Sequence, residues 1–187
     1  TVTVKEDLIS ENNETVQLVL SSPTNATLGG NNGSITITDD DGITWDQFTI
    51  TTSADGAYDV HAADMDSDGD IDIVASSIHD DSIRWFENDG NINPSFAETI
   101  IVQNADHVRE ITVADMDNDG DLDILSASQN DSAIAWYENN GAVDPQFTKA
   151  VIATSANLAN DVQVADLDRD GDLDIVSAST GDNTIAW

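Results

Sequence analysis

The chain has no cysteine, and its 187 residues include only 5 lysines and arginines against 37 aspartates and glutamates. The missing thiols exclude a disulfide framework and thiol chemistry. The missing basic face makes nucleic acid and anionic membrane poor partners, because both require Lys/Arg side chains to neutralise phosphates. No apolar run approaches the roughly 20 residues of a membrane-spanning helix, so membrane insertion is not expected. Thr1-Val2-Thr3-Val4 begins as strand sequence without a signal peptide, so any export signal is expected outside this sequence. Histidine is sparse, and His61, His79 and His107 read as scattered surface side chains. With no Ser/His/Asp arrangement and no phosphate-binding glycine loop, the chain is not expected to be an enzyme. Helical periodicity is absent throughout.

What is present is acidity in a pattern. The formal charge is −32 while 39% of residues are hydrophobic, so a core can form only if the charge is offset. Fifteen of the carboxylates lie in three copies of one nine-residue loop: Asp64-Met65-Asp66-Ser67-Asp68-Gly69-Asp70-Ile71-Asp72, then Asp115 to Asp123, then Asp166 to Asp174. The copies start 51 residues apart, so each loop is one fixed part of a repeating unit. The stretches Ile83-Arg84-Trp85-Phe86-Glu87-Asn88, Ile134-Ala135-Trp136-Tyr137-Glu138-Asn139 and Ile185-Ala186-Trp187 keep the same phase, as do Phe96 and Phe147.

Each period predicts four short strands. Val108–Asp115 alternates β-branched with polar residues; Leu122–Ser128 follows the loop; a third strand carries the tryptophan; Phe147–Ile152 follows an Asn140-Gly141 turn. Leu122 and Ile124 share a face, with Asp123 pointing the other way. Four strands per 51 residues is a β-propeller blade, so the expected class is all-β, with blades of four antiparallel strands over residues 43–187. Phe48-Thr49-Ile50-Thr51 reads as the fourth strand of an earlier blade, and three blades fall short of the typical 4–8. The sequence therefore reads as a piece of a longer chain.

A hard divalent cation takes six to eight oxygens at about 2.3–2.6 Å, and a tightly curled loop can supply them. Alternation puts positions 1, 3 and 5 on the inside, glycine at position 6 permits the turn, position 7 offers its carbonyl, and position 9 returns a carboxylate. The expected ligands are thus Asp64, Asp66, Asp68 and Asp72 by side chain with Asp70 by main chain. The second set is Asp115, Asp117, Asp119 and Asp123 with Asp121, and the third is Asp166, Asp168, Asp170 and Asp174 with Asp172. Ile71, Leu122 and Leu173 at position 8 are expected to pin each loop to the core. Arg169 is expected to point outward and to weaken the third site slightly. An EF-hand is excluded, since position 12 is Ala75, Ser126 or Ser177 and strands flank the loop.

These loops, with the Trp-aromatic-Glu-Asn stretch, resemble the FG-GAP or VCBS-type repeat of integrin-like β-propellers. The resemblance implies about three bound Ca²⁺, the loop residues above as ligands, and adhesion or binding of a protein or glycan at a bacterial cell surface or in the extracellular matrix. Residues 1–42 are similar to the C-terminal part of a Calx-beta sandwich, from Asp7-Leu8-Ile9-Ser10-Glu11 through Pro23 to Ile35-Thr36-Ile37-Thr38-Asp39, and that family's closing acidic run makes Asp39, Asp40 and Asp41 either calcium ligands or a charged linker. Two further readings remain open. Incomplete modules suit self-assembly into an extracellular filament by strand pairing, and related propellers sit beside polysaccharide-cleaving domains as non-catalytic carbohydrate-binding parts. Trp85, Trp136 and Trp187 read as interblade core, with a sugar-stacking platform as the alternative. Asn13, Asn25, Asn32 and Asn130 begin glycosylation sequons.

Overall fold

The computed structural model describes residues 47–187 and, before them, the backbone of two strands. The chain divides into two compact units, Thr1–Phe48 and Thr49–Trp187. In the first, β1 (Glu14–Val19) pairs antiparallel with β2 (Asn32–Ile37), Glu14 opposite Ile37. The rest of the segment similar to a Calx-beta domain, including Asp39, Asp40 and Asp41, lies outside the described residues.

The second unit is three copies of one meander. The first blade is β3 (Ala57–Ala63), β4 (Asp72–Ser77), β5 (Ser82–Asn88) and β6 (Phe96–Val102). The second is β7 (Val108–Ala114), β8 (Asp123–Ser128), β9 (Ala133–Asn139) and β10 (Phe147–Ala153). The third has β11 (Ala159–Ala165), β12 (Asp174–Ser179) and β13 (Thr184–Ala186). In each sheet every strand pairs antiparallel with the next in sequence. The architecture is all-β and blade-like, and the sheets do not close into a ring. Residues 47–51 form no strand. A fourth strand needs the third strand of its own blade as a template, and none precedes Phe48 among the described residues.

Each blade carries a bulge at the same place on its first strand: between Ala57 and Val60, Val108 and Glu110, and Ala159 and Asp161. The extra residue breaks the two-residue alternation, so Val108 and Ile111, three apart, are both fully buried. The blades then pack face to face, with β7 against β3 and β4, and β11 against β7 and β8. On the middle strand β8 the alternation serves both interfaces. Ile124 joins a core with Met65, Val74, Ile83 and Trp85 of the first blade, while Leu125 joins Ala159 and Val162 of the third. Full burial of each Val, Leu, Ile or Met among them contributes about 1.5–3 kcal/mol.

The outer faces of the first and third blades lack this cover. Val60 is 62% exposed, although its in-phase counterparts Ile111 and Val162 are fully buried. Likewise Trp187 is 73% exposed where Trp85 is 1%. Trp85 is thus interblade core, Trp136 packs at the second interface, and Trp187 stands on an open face.

Candidate metal centres

All three acidic loops connect the first and second strands of a blade, so they recur at the same end of each sheet. Their curl needs two left-handed residues. Position 4 is Ser67, Asn118 or Arg169, with φ of 61°, 60° and 66°. Position 6 is Gly69, Gly120 or Gly171, with φ of 99°, 98° and 102°. A Cβ at position 6 would meet nothing within 4 Å, so glycine is required there by the backbone conformation and not by crowding.

The curl turns main-chain N–H groups onto the carboxylates. Asp68 N donates to Asp64 Oδ1 at 3.1 Å, Gly69 N to Asp64 Oδ2 at 3.0 Å, and Asp70 N to Asp68 Oδ1 at 2.9 Å. The second loop repeats these bonds at 3.1, 3.0 and 2.9 Å. In the third, Arg169 N takes over the contact to Asp166 Oδ1 at 2.7 Å. The arginine side chain is exposed, as expected.

Positions 1, 3 and 5 come together in every copy. One ligand oxygen from each of Asp64, Asp66 and Asp68 lies within 4.8 Å of the others, and the same holds for Asp115, Asp117 and Asp119 and for Asp166, Asp168 and Asp170. Two oxygens bound to one ion at about 2.4 Å can be no more than about 4.8 Å apart, so the spacing suits one calcium. The donor set is all oxygen, which fits a hard cation. Burial raises the Asp66 carboxyl above its ordinary range, against an Asp68 N–H that lowers it, and Asp68, Asp72 and Glu87 add like-charge repulsion. At Asp168 the Asp170 N–H lowers the value, yet desolvation and the charges of Asp170, Asp174 and Asp166 raise it overall. Asp66 and Asp168 thus hold a proton more tightly than an isolated carboxylate does.

Position 9 occupies a different setting. Asp72 is 1% exposed. Its Oδ2 accepts from Met65 N at 3.1 Å and from Trp85 Nε1 at 3.0 Å, and its Oδ1 accepts from Asn88 N at 2.8 Å. Asp123 accepts from Met116 N at 3.1 Å and Asn139 N at 2.7 Å, and Asp174 from Leu167 N at 2.9 Å. Trp136 Nε1 is buried near Asp123 outside hydrogen-bond geometry. Burial raises the Asp123 carboxyl, partly offset by these N–H donors, and Asp117 adds repulsion. Position 9 therefore stands beside the cluster, and in the first two blades it knots the loop to the third strand.

Position 7 turns its side chain outward. Asp70 lies on Gly90 and Asp121 on Gly141, where any Cβ would collide with the carboxylate. Gly90 and Gly141 share the 51-residue phase, which was the available signal for their role. Position 8 does not pin the first loop, since Ile71 is 53% exposed; Met65 at position 2 is the residue sunk in the core.

A fourth group lies outside the loops. Asp59, His61 and Glu110, all half-buried, also bring ligand atoms within 4.8 Å. His61 is thus not a scattered surface residue. Asp59, Glu110 and Asp161 are in phase on the first strands of the three blades. Asp59 Oδ2 accepts from Ile111 N at 2.9 Å across the blade interface. Desolvation, with repulsion from Asp59 and Asp161, pushes the Glu110 carboxyl up to about 7. A carboxyl raised in the folded state binds its proton better there than in the unfolded chain, so between its ordinary value and about 7 stability falls as pH rises. Glu110→Gln is expected to remove that slope and to raise the thermal midpoint at pH 8 relative to the native chain. Parallel melting-versus-pH curves for the two proteins would contradict the assignment.

The fold and loops define an all-β repeat protein whose blades each present an acidic, oxygen-only loop at one end. The chain matches the FG-GAP-like repeat twice, over residues 64–126 and 115–177, together more than half its length. It belongs to the FG-GAP-like repeat family. No curated protein and no solved structure matches it. Among the described residues, no helix is long and apolar enough to cross a membrane.

Proposed function

We propose that each loop holds one Ca²⁺ and that the protein is a calcium-stabilised, non-catalytic module for binding or adhesion, acting outside the cell on a protein or glycan at a bacterial surface or matrix. The observation that carries the calcium reading is the threefold recurrence of three carboxylates within one ion's coordination sphere, without a basic side chain in the clusters. The membership supports the location, because FG-GAP repeats are typically extracellular. In this reading positions 1, 3 and 5 hold the ion by side chain, position 7 adds its carbonyl, and position 9 supplies charge from behind. Bound calcium cancels the repulsion within each cluster and fixes the hairpin between the first two strands. The near-identical loops offer no single asymmetric polar pocket, which favours binding over catalysis.

Extracellular calcium modules bind at about 10⁻⁴–10⁻³ M. At about 10 mM calcium each site would then add roughly 1.4–2.7 kcal/mol through linkage, and three sites about 4–8 kcal/mol. The thermal midpoint is expected to rise by about 10 °C or more over that in excess chelator. A midpoint indifferent to calcium would refute the ion-binding reading. The binding role is tested on a panel of glycans and matrix proteins. Retention in calcium with loss in chelator is expected, and an empty panel in calcium would count against an adhesive module.

A further inference from the structure

We propose that Asn139 couples the first two calcium loops, so that filling one raises the affinity of the other; the inference rests on the calcium reading above. Asn139 is 2% exposed, and its hydrogen-bonding groups are engaged on two blades. Its backbone N–H donates to Asp123 Oδ1 at 2.7 Å, and its Nδ2 donates to Leu122 O at 3.1 Å, both in the second loop. The same Nδ2 donates to Met65 O at 3.0 Å, in the first loop. Its Oδ1 accepts from Gly141 N at 3.1 Å, which fixes the amide's orientation.

Met65 is a sensitive place to touch the first loop. It lies between Asp64 and Asp66, its N–H donates to Asp72 Oδ2, and its side chain is buried in the core between the blades. A cation drawing Asp64 and Asp66 inward fixes the Met65 peptide. A fixed Met65 carbonyl holds the Asn139 amide, and that amide holds Leu122 and Asp123 in the second loop. An empty loop leaves these shared bonds free to open. The first ion therefore bears the ordering cost of groups the second also needs, which makes the coupling positive.

The molecule contains its own control. Asn88, the in-phase counterpart, donates from its backbone N–H to Asp72 Oδ1 and from Nδ2 to Ile71 O at 2.9 Å, and accepts from Gly90 N at 3.1 Å. All of these contacts lie within its own blade. Between the second and third loops the direct side-chain link is Asn118 Nδ2 to Asp172 Oδ1, an exposed contact at 3.4 Å. That bond is at the limit of useful geometry, so coupling is assigned to the first pair of loops.

The test is calcium titration by calorimetry on the full chain carrying Asp168→Asn, which leaves the first and second loops. Adding Asp66→Asn isolates the second loop, and its affinity is expected to be about fivefold or more weaker than when the first loop is filled, the lower end of usual coupling strengths. Asn139→Ala is expected to abolish that difference, whereas Asn88→Ala lowers stability and leaves it. A purely structural role would not separate the two asparagines. Should Asn139→Ala fail to fold, NMR on the Asp66→Asn/Asp168→Asn chain replaces it. Calcium entering the second loop must then shift the Met65 backbone and Asn139 side-chain amide signals. Two independent sites in the Asp168→Asn chain, coupling that survives Asn139→Ala, or an unmoved Met65 signal would overturn the coupling alone. Absence of any calcium heat would overturn the calcium reading and the coupling with it.

Discussion

Asp72→Ala is expected to destabilise the first blade severely in excess chelator as well as in calcium. The substitution strands three donors that the carboxylate now satisfies, the buried Met65 N–H and Trp85 Nε1–H and the half-buried Asn88 N–H. Each unsatisfied buried group costs about 1–3 kcal/mol. Even with relaxation the sum is a large part of the roughly 5–15 kcal/mol that holds a domain. Urea unfolding in chelator is the measurement, and a midpoint close to that of the native chain would show that Asp72 acts through the ion alone.

Asp66→Asn is expected to reverse the sign of its effect with calcium. In chelator the native Asp66 carboxylate is desolvated and repelled by Asp68, Asp72 and Glu87, so its charge is disfavoured in the fold. A carboxyl raised on folding makes stability fall as pH rises through the raised value. Neutral asparagine removes that penalty, and the variant is expected to be at least as stable as the native chain at pH 7 in chelator. With about 10 mM calcium the native chain instead gains roughly 1.4–2.7 kcal/mol at this loop, and a variant lacking a side-chain ligand gains little. Melting both proteins in both buffers exposes the crossover. Should Asp66→Asn lose stability equally in chelator and calcium, the carboxylate would be structural and not a ligand.

The contrast between positions 3 and 9 also marks how far the sequence could be read. The 51-residue phase disclosed the blades, the loops and the recurrence of tryptophan and asparagine, because identical spacing forces identical placement in a stack. It could not disclose what Asp72 binds, since Trp85 and Asn88 come back to it only after a strand, a turn and a second strand. Nor could hydrophobicity decide between positions 2 and 8. Both are apolar, and only the direction of the curl sinks Met65 while leaving Ile71 in solvent. The strand expected at Phe48–Thr51 followed from a pattern alone, and pattern without a template gave no strand. Glu110 was hidden for a similar reason. Its meaning depends on the stacking of first strands that brings it beside Asp59 and Asp161.

Direct calcium counting tests the central claim most simply. Isothermal titration of the full chain, with the same titration of Asp117→Asn, should give three calcium ions for the native protein and two for the variant, one per carboxylate cluster. No binding in the native chain, or an unchanged count in the variant, would contradict it.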